Sequence, residues 1–247
     1  MTVTSFKRRI ISRLKTEPLD AVLAEVRRLP PRQAISPLIA SLSHADGNVK
    51  WHAVSALGVV MAVLAKEDME AARNIMRRLM WSLNDESGNI GWGVPEAMAE
   101  ILANHDGLAE EYAHILVAYM REDGSYLELL ALQRGLMWGI GRLAEARRDL
   151  LEKWEAPAYL LPYLDSEDPE VRGLAARALG ILQVEGAKGK LAVLKNDSSG
   201  VLLYDKGKIE TRTVGELARE ALASISGISR TQDKKGWAFF NPDNRIL

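Results

Sequence analysis

Apolar residues recur at helical spacing along most of this chain. In residues 171–182 they fall three or four positions apart, as Val171, Leu174, Ala175, Ala178, Leu179 and Leu182. Such spacing places them on one face of a helix. The preceding residues, 165–169, read DSEDP, and an acidic residue directly before a proline is typical of a helix start. The pattern predicts a helix with one buried face, which needs a neighbouring helix to cover it.

The same unit returns at a regular interval. Its second helix closes on a small residue each time, at Gly58, Ala99, Gly141, Gly180 and Ala223, so the intervals are 41, 42, 39 and 43 residues. An apolar-periodic segment precedes each turn, at residues 33–42, 69–83, 108–120, 157–164 and 187–194. Five regularly spaced helix pairs predict a stack in which each pair buries its apolar face against the next.

The unit at residues 164–180, LDSEDPEVRGLAARALG, resembles the consensus of HEAT repeats. In that family an Asp/Pro turn leads into a second helix that opens with Val-Arg and carries small Ala and Gly residues. The resemblance covers residues 32–226 and is most similar to the bacterial HEAT-like repeats named after the phycobilisome (PBS) lyases. It implies an all-α, armadillo-like fold, a right-handed α-α superhelix (solenoid) of about five HEAT-like helix pairs. No motif specific to the lyases is present, so their bilin chemistry is not carried over.

Two flanks and one insertion depart from the repeat. Residues 1–31 predict N-terminal capping helices, one of them basic and amphipathic, which we expect to pack on the first repeat. In the last repeat, residues 201–213 hold two β-type segments around Gly207, and they predict a β-hairpin inserted between the two helices. The C-terminal tail, residues 227–247, contains three aromatic residues but no helical period, and we expect it to fold back as a cover.

The composition excludes several classes of function but does not point to a particular one. The 33 acidic and 32 basic residues give a net charge of −1, which disfavours a general nucleic-acid binder. With no cysteine, the chain has no disulfide, thiolate metal site or cysteine nucleophile. Neither a signal-peptide core nor a membrane span of roughly 18 apolar residues is evident, so we expect a cytoplasmic protein without a transmembrane segment. The oligomeric state is left open.

The apparent catalytic motifs in the sequence do not match known ones in spacing or in structural context. Residues 139–144 match the start of a dinucleotide fingerprint by letter, but they lie within a helical pattern and follow no strand. Residues 186–190 lack the spacing and the Ser/Thr of a phosphate-binding loop, and the four histidines lack HExxH spacing. We therefore predict no catalytic residue, no metal ligand and no cofactor.

A strip of aromatic and charged residues predicts where a partner binds. Equivalent positions on the second helices hold Trp51, Trp92 and Arg134, and the positions four residues on hold Glu96, Trp138 and Arg177. Trp and Arg are the residue types most enriched at interface hot spots. With the adjacent residue of the first repeat included, the predicted partner-binding set is Trp51, His52, Trp92, Glu96, Arg134, Trp138 and Arg177. The alternative is that neighbouring helices or the tail bury the tryptophans.

The second repeat is interrupted by glycines. Residues 88–96 read GNIGWGVPE, and a proline is comfortable in the first turn of a helix. The second helix of this repeat is therefore predicted to begin near Val94, which leaves Trp92 on a loop.

The leading hypothesis is a non-catalytic scaffold or adaptor that binds a protein or peptide on its concave face. One alternative is an enzyme similar to the HEAT-like alkylpurine DNA glycosylases, with Trp51, Trp92, Trp138 and Glu96 supplying the aromatics and the acid. The acidic body of the chain counts against it. Another alternative is an accessory factor that holds a cofactor or substrate for a neighbouring enzyme.

Overall fold

A computed structural model describes residues 3–83 and 91–227 of this chain, with side chains from Lys7 onward. Two helices precede the repeats, α1 (Val3–Thr16) and α2 (Leu19–Val26). Three full helix pairs follow: α3 (Pro31–Ser41) with α4 (Gly47–Glu67), α5 (Met69–Leu83) with α6 (Val94–Asn104), and α7 (Asp106–Ala118) with α8 (Leu130–Ala146). These pairs confirm the predicted repeat over the first half of the chain.

The last two repeats have shorter first helices. They contain α9 (Arg148–Lys153), α10 (Ala156–Leu160), α11 (Pro169–Ile181), α12 (Lys188–Leu194) and α13 (Val214–Ile225). The helix predicted at residues 157–164 changes to a 3₁₀ segment after Leu160, because Pro162 lacks the N–H that an α-helix needs. The short helix α9 was not predicted. The all-α solenoid is otherwise confirmed.

A two-stranded antiparallel hairpin interrupts the last repeat, as predicted. Its strands are β1 (Gly200–Asp205) and β2 (Lys208–Thr213), and Tyr204 pairs with Ile209 next to the turn. The turn is made by Lys206 and Gly207, both with positive φ. Gly207, at φ 83°, adopts the left-handed conformation that glycine tolerates best. The following helix, α13, begins with a capping box between Thr213 and Glu216.

The second helices α4, α6, α8, α11 and α13 pack on one another in sequence order. Small residues at the crossing points let the backbones come close. A Cβ atom added to Gly180 would lie 2.6 Å from the Cα of Ala221, and one added to Gly139 would lie 2.8 Å from the Cβ of Ala99. The small residues that mark the repeat in the sequence are therefore required by helix packing.

The helix α4, with 21 residues, is the longest of the described helices. Within the described residues it alone is long and apolar enough, by length and composition, to cross a membrane. About two-thirds of its apolar window (67%) is buried against neighbouring elements, which is also typical of the core helix of a solenoid. The predicted cytoplasmic location stays a prediction.

The N-terminal helices pack on the first repeat, where α1 contacts α3 and α4 and α2 contacts α4. The capping role expected for residues 1–31 stays a prediction. The cover expected from the tail falls on residues 228–247, which lie outside the described residues, and residues 84–90 lie outside them as well.

We expect Gly180→Ala to lower the free energy of unfolding by about 1–3 kcal/mol, because the new methyl group forces α11 and α13 apart. The matched control is Gly189→Ala on α12, where an added Cβ meets no atom within 4 Å. That change should raise stability by about 0.5–1 kcal/mol through helix propensity. Urea unfolding followed by circular dichroism measures both; equal stability of the two variants would contradict the packing argument.

Candidate functional site

The hairpin crosses the inner face of the helix stack from the last repeat to the first. Val201 packs against Gly173 of α11, Ile209 against Gly47 of α4, and Gly207 against Leu19 of α2. A strand of six residues spans about 20 Å, whereas five stacked helices span about 35 Å. The hairpin can touch both ends of the stack only because the stack curls around it. The second helices therefore form the concave face.

An aromatic cluster fixes the hairpin to this face. Tyr204 stacks on Trp51 with ring centroids 4.7 Å apart and planes at 8°, and Trp138 lies 4.7 Å from Trp51 and 6.2 Å from Tyr204. The indole N–H of Trp138 donates to the carbonyl oxygen of Tyr204 at 2.9 Å. The Tyr204 hydroxyl shares a hydrogen bond of 3.0 Å with Ser55, and burial raises the pKa of Tyr204 to about 12.

The structure thus brings together two of the predicted partner-binding tryptophans and covers them. Trp138 is 5% exposed and Trp51 is half-buried beneath Tyr204. Of the two alternatives left open by the sequence, burial applies to Trp138. The hairpin is the segment that buries it, whereas the sequence led us to expect neighbouring helices or the tail to do so.

His52 and Glu96 also face inward. The Nδ1 of His52 lies 2.8 Å from the carbonyl oxygen of Leu14, so that the ring ties α4 to α1. Glu96 is 3% exposed and pairs with Lys50 at 2.7 Å, and its carboxylate lies directly against the backbone of Gly135. A buried carboxylate needs such a partner, so the pair joins the first two repeats.

Arg134 and Arg177 form ion pairs between repeats. The Nε of Arg134 donates to Asp168 at 2.9 Å, and Arg177 pairs with Glu145 at 2.5 Å. Asp168 also caps α11 by accepting from the N–H groups of Glu170 and Val171. Burial opposes ionisation of Asp168, but the hydrogen bonds from Arg134 and these N–H groups outweigh it and hold its pKa below the usual 3.8.

Trp92 lies apart from the other predicted site residues. Because α6 begins at Val94, as predicted, Trp92 precedes the helix and does not continue the column of Trp51. It is 40% exposed and borders a depression lined by Ser43, which follows α3, and by Arg78 of α5. The predicted strip is therefore divided between two faces of the molecule.

A cavity of about 230 Å³ remains open on the concave face beside the hairpin tip. We call it the concave cavity. Its walls are Leu19 and Leu23 of α2, Ser55 and Val59 of α4, Glu100 and Asn104 of α6, Trp138, Arg142 and Glu145 of α8, Arg177 of α11, and Tyr204 to Gly207 of the hairpin, with Arg27 at the edge. Arg142 pairs with Glu100 at 2.7 Å.

The sequence contained a signal for part of this cavity. Glu100 and Arg142 each follow the small residue that closes their repeat, so they occupy equivalent positions on adjacent helices. Neither residue was included in the predicted partner-binding set. Among the described residues, no group of three or more His, Asp and Glu side chains is arranged to hold a metal ion.

No known protein-family profile matches this chain. A curated relative, an uncharacterized protein of Archaeoglobus fulgidus, is 35% identical over 114 residues. The match covers 46% of this chain and 56% of the relative, so the chain spans little more than half of that protein's length.

Solved structures of engineered repeat proteins resemble the fold. An engineered protein from the Northeast Structural Genomics Consortium has a TM-score of 0.50 and 17% identity, with 90% of this chain and 96% of that chain covered. A designed armadillo repeat protein in complex with the peptide (KR)4 has a TM-score of 0.50 and 18% identity, with 88% and 98% covered. These likenesses establish a repeat solenoid; the finer likeness to phycobilisome-lyase repeats stays a prediction.

We expect Tyr204→Ala to lower the free energy of unfolding by about 3–5 kcal/mol, because it removes the ring that holds the hairpin on Trp51. The tryptophan emission should shift to the red as water reaches Trp51 and Trp138. Tyr204→Phe is the matched variant, since it keeps the ring and loses only the bond to Ser55, at a cost of about 1–2 kcal/mol. An unchanged emission maximum in Tyr204→Ala would show that the hairpin is held by other contacts.

The ionised form of Asp168 stabilises the fold, because its folded pKa lies below the unfolded value of 3.8. This contribution is complete above pH 3.8 and is lost as the pH falls through the folded pKa. Asp168→Asn should therefore lower the free energy of unfolding by about 1–3 kcal/mol at pH 7, and by less as the pH falls below 3.8. Urea unfolding at several pH values tests this. The control, Asp123→Asn, alters an exposed pair with Arg121 and should change stability little.

Proposed function

We propose that this chain is a non-catalytic interaction scaffold that holds an extended segment of a partner protein on its concave face, in the concave cavity. The observation that carries the proposal is the ladder of ion pairs in that cavity. Arg142 and Glu100 join α8 to α6, and Arg177 and Glu145 join α11 to α8. Each guanidinium has five N–H donors and each pair uses only some of them, so donors are left for a peptide backbone.

The hairpin shows how this face holds extended backbone. Trp138 donates its indole N–H to a main-chain carbonyl of β1, and Trp51 receives the side chain of the same residue in a stack. These are the two kinds of contact by which repeat proteins and other peptide-binding folds engage a strand: a polar group for the backbone and a pocket for the side chain. A partner segment in the concave cavity would continue this arrangement past the hairpin tip.

The size of the cavity favours a peptide side chain over a cofactor. About 230 Å³ lies below the range of roughly 300–1,000 Å³ typical of small-molecule sites. It accommodates one or two side chains of a longer segment, whose remaining residues would lie over the neighbouring helices. The accessory-factor hypothesis, which requires a whole cofactor or substrate to be enclosed, has less support.

The glycosylase-type hypothesis also has little support from the described residues. It requires an accessible acid and accessible aromatic rings on one face. Glu96 is buried in a pair with Lys50, Trp138 is covered by the hairpin, and Trp92 lies on a different surface.

The designed armadillo protein that resembles this chain holds the peptide (KR)4. That likeness extends only to the fold. It shows that such a fold can carry a peptide, and the location proposed here comes from this chain's own residues.

Selection of random peptides on the wild-type protein, followed by affinity measurement, tests the proposal. We expect the selected peptides to bind the wild type with micromolar affinity. Their affinity for Val59→Trp, in which the new side chain fills the concave cavity, should be at least about tenfold lower. The matched control is Val193→Trp on α12, a residue 82% exposed and distant from the cavity, which should bind as the wild type does.

Before the affinities are compared, circular dichroism is used to check that both variants are folded. Peptides that bind the two tryptophan variants equally well would place the binding site elsewhere and contradict the proposal.

A further inference from the structure

The outer face of the first two repeats carries a continuous groove. Its sides are α3 and α5, which each pack on α4 and make little contact with each other. Three depressions of about 520, 280 and 460 Å³ lie along it, and Arg78 lines all three. We call this the outer groove. It lies on the first helices of the repeats and shares no lining residue with the concave cavity.

The floor of the outer groove is apolar and has helical spacing. Ile35 and Ile39 lie four residues apart on α3, and Ile75 and Leu79 lie four residues apart on α5. Rows of residues four apart are the ridges between which another helix packs. From Ala71 to Ser82 the groove follows α5 for about 16 Å, which corresponds to three turns of a helix.

Two exposed tryptophans stand at one end of this floor. Trp81 is 77% exposed and borders the largest depression, and Trp92 is 40% exposed and borders the adjacent one. Tryptophan exposed to this degree beside an apolar groove is typical of an interaction surface, since its indole supplies much contact area at little entropic cost.

Within the described residues, one arginine of the groove has no acidic partner. Together α3 and α5 contain four arginines and one glutamate. Three of these arginines are paired: Arg32 with Asp68, Arg73 with Glu111 and Arg77 with Glu70. Arg78, in the middle of the groove, forms no ion pair within residues 7–83 and 91–227. A ligand carboxylate is the group that complements it.

We propose that the outer groove docks an acidic amphipathic helix of a partner protein. The apolar face of that helix lies on Ile39 and Ile75, and its acidic residues face Arg78. Small side chains on the α3 wall, Ser36 and Ala40, let the helix approach closely. This is recognition of a helix in a groove, with anchors three or four residues apart. The concave face, by contrast, holds extended backbone.

The probes for the test are two labelled peptides of about 14 residues, with Leu at every third or fourth position and either Glu or Lys on the flanks. Fluorescence anisotropy measures their binding to the full chain. We expect the Glu peptide to bind and the Lys peptide to bind at least about tenfold more weakly. Arg78→Glu and Trp81→Ala should each weaken the Glu peptide by about tenfold.

Two matched controls separate the groove from general effects. Lys195→Glu makes the same change in net charge in the last repeat, and Trp154→Ala removes an exposed tryptophan that lies outside the groove. Both should bind the Glu peptide as the wild type does. Equal binding of the two peptides, or equal loss in Arg78→Glu and Lys195→Glu, overturns the proposal.

Two further outcomes would also overturn it. One is no binding of the Glu peptide up to about 1 mM. The other is a wild-type dimer, measured by sedimentation equilibrium, that the Arg78→Glu change dissociates but the Glu peptide does not. That result would assign the groove to a second copy of this chain.

Discussion

The stack of Tyr204 on Trp51 joins the last repeat to the first, and the shape of the molecule depends on it. In a solenoid each repeat ordinarily contacts only its neighbours, so stability is close to a sum of local terms. Here Ser55 and Tyr204, 149 residues apart in sequence, share a hydrogen bond, and Trp138 binds the backbone of the same tyrosine. The ends of the stack are therefore coupled. Loss of the hairpin from its seat would affect the first and the last repeat together.

This coupling also determines which surfaces remain for partners. The hairpin covers Trp138 and leaves a cavity of mixed charge at its tip. The outer groove, by contrast, presents Arg78, is apolar at its floor and is bordered by exposed tryptophans. The two surfaces differ in the secondary structure and in the charge of the partner segment that each would bind. The two proposed sites share no residues.

Local features of the fold were predictable, and long-range ones were not. Helix pairs followed from the apolar spacing, the hairpin from Gly207 between two β-type segments, and the start of α6 from the glycines before Val94, because each depends on residues close in sequence. The position of the hairpin depends on the curvature of the stack, which is the sum of small rotations between repeats. The pairing of Glu96 with Lys50, 46 residues away, is likewise set by packing. The helical wheel therefore grouped Trp51 with Trp138, which do lie together, but it could not show that the hairpin covers them or that Trp92 lies on another face.

The column of equivalent positions that begins at Trp51 nevertheless carries information about the hairpin. Trp51 receives Tyr204, and the equivalent residue of the fourth repeat, Gly173, leaves room for Val201, which an added Cβ would meet at 2.6 Å. In the last repeat the equivalent residue is Glu216, which binds Arg212 and the backbone of Thr213. A column that changes from aromatic to glycine to acid cannot pack against one repeating partner. In a solenoid, such a column indicates a non-repeating segment that lies across the repeats, and here that segment is inserted in the chain itself.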